Sequence, residues 1–597
     1  MTNYLNKTKS KTFIALSSNA KFWDLSADKI VFICPSCVTD DNKACLNNIN
    51  VIYHQKPNQS YQEHQDLNQK LFNDAIIVKN LLIPLLNNIH ARQYTEKYWN
   101  IILLPFIFYF IQDLSGVYQK IKSIKLTYKQ WNTILLDPID YQTSKTVGDY
   151  LNSSSHLNNR QQLYSKVIQY LGHSFKTQRD EKIELHKTNN NISRSIKKMM
   201  WDMIETLSNK VCMWVKNPMV YVDTYIRRQC LLMLLFKTKG QSVWITSNQD
   251  VLVDKPISNE MRKQVSELAN HQKDPFIKCA LTVLSSELPK SFLELFDKYE
   301  EKAENSFPKS PKKIITSIGL YRNESIRFWL AKCRENNIPL LNLQHGGNYG
   351  VFSNLYHSQR IEEICSNKFL SYGWDRAVEN KNNSKIVPFY IMKQAFLNKK
   401  KKVDKQRPIL MVGYNAYKGN PFVFNPNIDQ YLCWQIQFLK KLSLSVQQQL
   451  LYRGFIKLTI DITQRIKEEF PDLQVEKMTV TPIEKRILSS KLVVIDRPVT
   501  VFLEALSLNK PILLFWNPMC TDIDFHVQAK SYFNALKDVG ILHHCPIKAS
   551  ETLNHIIGHE EEWFHEPKRY KAAMAFREKF ARTAKDPVKA LQELINL

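Results

Sequence analysis

The stretch LVVIDRPVTVFLEALSLNKPILLFWN, residues 492–517, decides the fold class of this chain. It begins with a short apolar run at 492–496 and continues with apolar residues at helical spacing over 499–509. It closes with a second apolar run at 511–517. A buried strand, a helix and another buried strand in this order are typical of a parallel sheet covered by helices. The stretch therefore predicts an α/β fold.

The same alternation extends in both directions along the chain. Apolar runs separated by helical patterns predict strands at 29–35, 50–54, 132–137, 242–247, 313–320 and 339–344, and then at 408–415, 449–455 and 540–545. A chain of 597 residues is too long for one core, because single cores stop growing at roughly 250–300 residues. We interpret the two series of strands as two Rossmann-like domains facing a cleft, with a C-terminal helix that crosses back. This arrangement is that of the GT-B glycosyltransferases.

Composition shifts give the domain boundaries. We expect an N-terminal, acceptor-side domain at 1–385 with a helical insertion at about 178–240, because 197–237 carries two apolar helical patterns. The Asn- and Lys-rich segment 386–406 is interpreted as a linker. The nucleotide-donor-binding domain then covers 407–560, and C-terminal helices cover 561–597.

The charge of the chain limits its partners. A formal net charge of +26 attracts nucleic acid, anionic lipid or phosphorylated substrates, but no nucleic-acid recognition motif accompanies it. The 11 scattered cysteines are typical of reduced thiols, and we interpret the CPSC and HHC motifs (34–37 and 543–545) as structural. We expect no signal peptide, a buried helix at the apolar run 101–111, and a cytoplasmic location.

The strand predicted at 339–344 ends in the sequence QHGGNYG, residues 344–350. Three of the chain's 14 glycines, Gly346, Gly347 and Gly350, fall within five positions. Glycine allows close approach of the backbone and positive φ, and free N–H groups in such a turn bind anions. The imidazole of His345 suits proton transfer or a hydrogen bond to phosphate. We expect a binding site that also includes Tyr349, and a plain tight turn is the alternative.

A second candidate follows the strand at 492–496. Asp496 ends this strand, Thr500 is placed to cap the next helix, and Glu504 lies about one turn further on, where it can accept hydrogen bonds from ribose hydroxyls. Arg453 follows another strand and can pair with a phosphate. The alternatives are a capped helix with a surface glutamate, and a surface arginine.

The general base is less clear from the sequence. Glu324 lies at a strand-to-helix turn with Arg322 and Asn323, where a simple helix cap is an equal alternative. Asp137 and Asp140, in the motif LLDPID, are further candidates.

Six segments together resemble a family of transferases encoded in bacterial O-antigen and surface-carbohydrate gene clusters, related to the capsule polysaccharide (Kdo-type) glycosyltransferases. They run over nearly the whole chain, at residues 13–35, 95–119, 337–350, 368–374, 503–518 and 529–544. The chain differs from the family pattern at Arg497, Pro498, Val499 and Thr500, and at Glu362, Glu363 and Asn367.

The resemblance implies a GT-B fold and inverting, metal-independent transfer from a nucleotide-activated donor, with no cofactor. The Gln-His motif of related capsule transferases, found in their nucleotide site, corresponds to Gln344 and His345. The chain is thus expected to transfer a sugar from a nucleotide-activated donor to a surface polysaccharide or lipid-linked acceptor at the inner face of the membrane, and the narrower expectation is a CMP-linked donor. An anionic membrane surface is a further candidate partner. The alternatives are a CDP-linked polyol-phosphate transferase and a non-catalytic, basic nucleic-acid-binding or scaffold protein.

Overall fold

A computed structural model describes the chain over residues 12–38, 42–46, 49–54, 60–154, 160–180, 203, 207–208, 212–246, 251–347, 349–353, 357–375, 385–394, 397, 408–413, 428–454, 462–476, 481–521 and 525–595. The chain divides into two compact units, and each unit is assembled from three separate segments of the sequence. The smaller unit comprises Met1–Ser195, Gln249–Asn305 and Asn323–Ala331. The larger unit comprises Ile196–Asn248, Ser306–Arg322 and Lys332–Leu597.

The smaller unit contains a four-stranded parallel sheet and a parallel pair. The sheet has the order β3-β2-β1-β4, and the pair joins β5 to β6. The strands are β1 (Thr12–Ala15), β2 (Lys29–Phe32), β3 (Ile52–Tyr53), β4 (Trp131–Asn132), β5 (Leu135–Leu136) and β6 (Thr177–Gln178). The helices are Tyr61–Ile89, Glu96–Thr127, Val147–Ser154, Arg160–Tyr170, Asn259–Glu267, Pro275–Glu287 and Phe296–Ser306.

Helix Glu96–Thr127 forms much of the core of this unit. Thr95 caps its N-terminus by accepting a hydrogen bond from the Lys97 N–H. By length and composition it is the one helix among the described residues that is apolar enough to cross a membrane, but 83% of its most apolar window is buried inside the fold. The sequence-based expectation of a buried helix at 101–111 is confirmed.

The larger unit contains two six-stranded parallel sheets. The first has the order β12-β11-β10-β9-β7-β8. Its first strand, β7, lies inside the sheet between β8 and β9, so the direction in which strands are added reverses there. The strands are β7 (Met219–Val222), β8 (Ser242–Ile245), β9 (Lys313–Thr316), β10 (Leu340–Leu343), β11 (Lys368–Ser371) and β12 (Ile386–Pro388).

The second sheet has the order β15-β14-β13-β16-β17-β18, with a reversal between β13 and β16. Its strands are β13 (Ile409–Val412), β14 (Leu450–Arg453), β15 (Gln474–Glu476), β16 (Leu492–Ile495), β17 (Ile512–Phe515) and β18 (Leu542–His543). All residues of β16 and β17 are buried, as expected for strands with helices on both faces.

The helices of the larger unit connect these strands. They are Arg228–Lys237, Gly319–Arg322, His357–Cys365, Ile428–Lys440, Leu444–Gln448, Ile462–Glu469, Ile483–Ser489, Thr500–Ser507, Pro518–Thr521, Val527–Asp538, Pro546–Ile556, Glu560–Phe564, Pro567–Phe580 and Pro587–Glu593. Helix Glu324–Glu335 begins in the smaller unit and ends in the larger one. The last helix packs through Val588, Leu591 and Leu594 against residues of the first sheet such as Leu341. The chain therefore does cross back, as predicted.

The predicted α/β class is confirmed, and the larger unit contains two Rossmann-like parallel sheets, but the first half of the chain differs from the prediction. Its six predicted strands belong to separate sheets, because 29–35, 50–54 and 132–137 contribute to the smaller unit and the other three to the first sheet of the larger unit. Sequence periodicity identifies strands but not which strands pair.

Six strands were not found from the sequence: β1, β6, β7, β11, β12 and β15. β7 lies inside the predicted helical insertion, most of whose first helical pattern falls outside the described residues. β12 begins where the linker was predicted to begin, at Ile386. The other domain boundaries stay a prediction.

Candidate functional site

The QHGG turn leaves the first sheet at the carboxyl end of β10. Leu340, Leu341, Asn342 and Leu343 are all buried, and β10 pairs in parallel with β9 and β11. The strand ends as Gln344 donates its backbone N–H to the Leu370 carbonyl. His345 is therefore delivered to the carboxyl edge of a parallel sheet, which is where ligands bind in open α/β folds.

The side chain of Gln344 holds this turn together. Its Oε1 accepts hydrogen bonds from the Tyr372 N–H and from the Trp374 indole, both at 2.8 Å. Its Nε2 donates to the Gly346 carbonyl at 2.7 Å. Because Gln344 is buried and its amide is bonded at both ends, it positions the residues that follow it.

A buried glutamate lies behind His345. The Nδ1 atom of His345 is 3.2 Å from Oε1 of Glu362, close enough for an ion pair with a protonated ring but out of line for a hydrogen bond. The Tyr349 hydroxyl donates to the same Oε1 at 3.0 Å, and Asn342 Nδ2 donates to Oε2 at 2.8 Å. Burial raises the pKa of Glu362, while His345 and Tyr349 act to lower it.

Tyrosine rings surround the imidazole of His345. Tyr349 meets it edge-on with ring centroids 5.4 Å apart, and the rings of Tyr225 and Tyr321 lie 6.2 and 6.4 Å away. Tyr349 was predicted from the sequence, but Tyr225 was not, because Tyr225 follows the unrecognised strand β7. Glu362 was not predicted as a site residue either and was noted only as a difference from the family pattern.

The glycines of the turn have different roles from those predicted. Gly346 and Gly347 do not have positive φ, whereas Gly350 does, at 72°. Gly347 instead allows two backbones to meet: its N–H donates to Thr500 Oγ1 at 3.0 Å, and a Cβ on Gly347 would lie 2.5 Å from the Thr500 Cα. A Cβ on Gly346 would meet only the Tyr349 ring, at 3.5 Å.

The Gly347–Thr500 contact joins the edges of the two sheets of the larger unit. Thr500 was predicted to cap helix Thr500–Ser507, but that was wrong, since Val499 occupies the N-cap position and no side chain caps the helix. The hydroxyl of Thr500 serves the contact with Gly347 instead.

The other predicted donor residues of the second sheet have protein partners. Glu504 is buried and pairs with Lys393; burial raises its pKa and Lys393 opposes that rise. Arg453, also buried, donates from Nη1 to Glu476 Oε2 at 3.0 Å. Glu476 in turn binds Arg486. The structure thus places these charges in ion pairs and not on an open surface.

Glu324 belongs to the smaller unit. Its carboxylate accepts hydrogen bonds from Arg327 Nη1 at 2.9 Å and Ser291 Oγ at 2.8 Å. It is buried among these partners. The side chains of Asp137 and Asp140 bond the Ile139 N–H and Arg179 in the same unit.

Asp496 lines a pocket at the reversal point of the second sheet. The pocket opens to solvent. Asp496 Oδ2 accepts hydrogen bonds from the Tyr431 hydroxyl and the Gln435 amide. Burial raises the pKa of Asp496 to about 6, against the opposing effect of these two donors. The lining residues are Gln430, Tyr431, Trp434, Gln435, Asp496, Arg497, Phe515, Trp516, Asn517 and Thr521.

The motifs interpreted as structural offer no evident metal site. Cys34 and Cys37 do not form a disulfide, and their sulfur atoms lie 3.8 Å apart. Over the described part of the chain, no group of three or more His, Cys, Asp or Glu side chains is placed to hold a metal ion.

Comparisons with known proteins come from families, curated sequences and structures. The model of the LIC12162 family transferase matches residues 12–595, and no curated protein matches the chain. The structure of S. aureus MnaA with UDP is similar at 9% identity and a TM-score of 0.36, covering 64% of this chain and 98% of that one.

Two further structures show the same level of likeness. A UDP-GlcNAc 2-epimerase from Neisseria meningitidis bound to UDP-GlcNAc has 12% identity and a TM-score of 0.34, and the match covers 66% of this chain and 96% of that one. Acinetobacter baumannii MurG has 9% identity and a TM-score of 0.32, and the match covers 64% of this chain and 99% of that one. Likeness this low does not indicate function, which has to come from the family and from the site.

Proposed function

The chain belongs to the LIC12162 family of transferases, and on that premise we propose that it transfers a sugar from a nucleotide-activated donor to a hydroxyl-bearing acceptor. The observation that carries the proposal is the placement of His345. An imidazole that is 21% exposed, with a buried carboxylate 3.2 Å from its Nδ1, lies at the carboxyl edge of one parallel sheet and next to the contact with the second.

The pocket at Asp496 is the proposed site of the nucleoside. It lies at the reversal point of the second sheet, where Rossmann-like sheets bind nucleotides. Trp434, whose side chain is partly exposed, offers a ring face for stacking a base. Asp496 offers a carboxylate to base amino groups or ribose hydroxyls, and Arg497 offers a cation to a phosphate. This location replaces Arg453 and Glu504, whose charges are already paired.

His345 then acts on the leaving group. As the bond from the sugar to the phosphate breaks, negative charge develops on the phosphate oxygen, and a protonated imidazole stabilises it by a charged hydrogen bond. The Glu362 carboxylate stabilises the positive ring. Three tyrosine rings restrict the imidazole, so that it is held ready for the donor.

We further propose the biological setting that the sequence predicts. A net charge of +26 favours an anionic, lipid-linked acceptor or an anionic membrane face. This is in keeping with inverting, metal-independent transfer of a CMP-linked sugar during O-antigen or capsule synthesis in the cytoplasm.

The test is to incubate the purified protein with CMP-N-acetylneuraminate or UDP-N-acetylglucosamine, together with a lipid-linked polysaccharide fraction. Nucleotide release is measured by chromatography and the acceptor by mass spectrometry. The proposal expects nucleotide release and a mass gain of one sugar. A gain of polyol phosphate from a CDP-linked polyol would support the alternative transferase. Failure to bind CMP or UDP at all would exclude glycosyl transfer.

A further inference from the structure

The reversal point of the first sheet lies at the carboxyl ends of β7 and β9, where open α/β sheets form a crevice. Asp223 follows β7, and Ser317 follows β9. The N–H groups of Ser317 and Ile318 both approach the Asp223 carbonyl, at 3.4 and 3.2 Å. The two turns are thereby fixed to each other. Ligands of open α/β sheets bind at such a point, and no residue here has been used in the donor site.

Two side chains in this crevice lack partners. Oδ2 of Asp223 and Oγ of Ser317 are buried and make no hydrogen bond to any described residue. Ser317 is only 1% exposed. Buried polar groups are nearly always paired, because an unmade hydrogen bond costs the full desolvation of the group. Two such atoms on adjacent turns therefore point to polar groups supplied by a ligand.

The backbone of Asp223 is strained as well. Its φ is 45°, in the left-handed region that residues with a Cβ rarely adopt. Such strain persists where the surroundings impose it, and it is concentrated at functional sites. Here it holds a carboxylate beside a buried serine at the edge of the sheet.

The crevice lies next to His345. Tyr225, two residues after Asp223, has its ring 6.2 Å from the imidazole. Tyr321, whose ring is 6.4 Å from the imidazole, is followed by Arg322, which acts electrostatically on Asp223. Burial raises the pKa of Asp223 and Arg322 opposes the rise. A carboxyl group of raised pKa is a stronger base than one on the surface.

We propose that this crevice is the acceptor subsite and that Asp223 is the general base of the transfer, with Ser317 orienting the acceptor. The ligand is a sugar or polyol hydroxyl group, and the inference rests on the proposed function.

The proposed transfer forms one bond to the anomeric carbon and breaks another. The acceptor oxygen forms a bond to the anomeric carbon and gives its proton to the Asp223 carboxylate. The bond between that carbon and the phosphate oxygen breaks, and its electron pair leaves with the nucleotide phosphate, which His345 stabilises.

The first test measures turnover in Asp223→Asn, Ser317→Ala and the control Asp472→Asn, whose aspartate is exposed. The probe reaction is nucleotide release from CMP-N-acetylneuraminate or UDP-N-acetylglucosamine, with water or the polysaccharide fraction as acceptor. Loss of a general base slows such reactions by about 10²–10⁴-fold. We expect a loss in this range for Asp223→Asn, a smaller loss for Ser317→Ala and a change of less than about twofold for the control. Unchanged turnover in Asp223→Asn, with an active wild type, would overturn the inference and leave the proposed function intact.

The second test does not depend on the donor. Asparagine tolerates the left-handed region and removes a buried charge, so Asp223→Asn should raise the midpoint of thermal unfolding by about 1–3 °C. A residue kept for stability would give the opposite sign. A fall of several degrees would therefore overturn the inference even if the wild type used neither donor, whereas a rise with an inactive, non-binding wild type would remove only the proposed function.

Discussion

The carboxyl edges of the two sheets in the larger unit differ in what their polar side chains contact. At the first edge, the His345 side chain is 21% exposed, and Asp223 and Ser317 each keep a buried atom without a hydrogen-bond partner among the described residues. At the second edge, Oε2 of Glu504 also lacks a hydrogen bond, but Arg453 forms an ion pair with Glu476 and Glu504 forms one with Lys393. The edges therefore differ in charge pairing, because no described residue forms an ion pair with Asp223.

The difference shows that the type and position of a residue do not by themselves identify a site. A strand-end arginine with a buried carboxylate 3.0 Å away is already neutralised, and recruiting it for a phosphate would leave that carboxylate unpaired. At the second edge, the available chemistry is instead in the pocket beside Asp496. Substitutions can separate residues that act in the reaction, through turnover, from residues that stabilise the fold, through the free energy of unfolding.

The largest effect is expected for His345→Ala. Loss of the charged hydrogen bond to the leaving phosphate should reduce turnover by about 10²–10³-fold. Thermal unfolding should change little, because Glu362 keeps its hydrogen bonds from Tyr349 and Asn342. Nucleotide release measures the first and calorimetric unfolding the second. His565→Ala, at an exposed histidine, is the control. Near-normal turnover in His345→Ala would place His345 outside the reaction.

Arg453→Met should lower the free energy of unfolding and leave the affinity for the nucleotide unchanged. Breaking a buried ion pair usually costs about 3–5 kcal/mol, and here we expect about 2–3 kcal/mol because Arg486 still binds Glu476. Urea unfolding measures the loss. The matched variant Glu476→Gln should be destabilised to a similar degree, and a fully stable Arg453→Met would contradict the structural role.

Gly347→Ala and Gly346→Ala form a pair that tests the contact between the edges. The added Cβ at Gly347 would lie 2.5 Å from the Thr500 Cα, so the two turns must separate. Overpacking of this kind costs about 1–3 kcal/mol, and turnover should fall with it. Gly346→Ala meets only a ring edge at 3.5 Å and should be close to neutral. Equal effects of the two substitutions in urea unfolding would argue against the contact.

The smallest effect is expected for Asp496→Asn, as a change in the pH dependence of stability. The pKa of Asp496 is about 6 in the folded protein and about 3.9 for an unfolded aspartate, so folding favours the protonated form. This contribution is fully present below about pH 4 and is lost as pH rises through about 6.

Asp496→Asn should therefore be more stable than the wild type at pH 7.5, by about 1–2 kcal/mol, and the advantage should vanish near pH 4. Urea unfolding at both pH values checks it. A variant that is less stable at pH 7.5 would show that the ionised carboxylate supports the fold.

Much of the fold followed from the sequence, since the strands and the helix of 492–517 and the returning C-terminal helix lie where the pattern places them. β7 did not follow, because MVYV is a short run between Pro218 and Asp223, in a region dominated by helical patterns. Asp223 and Tyr225 were missed with it.

The candidate site was predictable only in part. The position of His345 at a strand end could be predicted from the apolar run before it. The position of its partner Glu362 depends on how helix His357–Cys365 packs. Arg453 and Glu476, which are 23 residues apart in the sequence, pair because they lie on neighbouring strands. Such contacts are set by tertiary structure and leave no local pattern in one sequence.

The most direct test of the account is a calorimetric titration of CMP and UDP into the wild type, Trp434→Ala, Arg453→Met and the exposed control Trp214→Ala. If the pocket beside Asp496 holds the nucleoside, one nucleotide binds the wild type and Trp434→Ala weakens it by about tenfold, the loss of one stacking partner. Arg453→Met and Trp214→Ala, measured where both remain folded, should bind as the wild type does. Unchanged affinity in Trp434→Ala, together with loss of binding in Arg453→Met, would contradict the account.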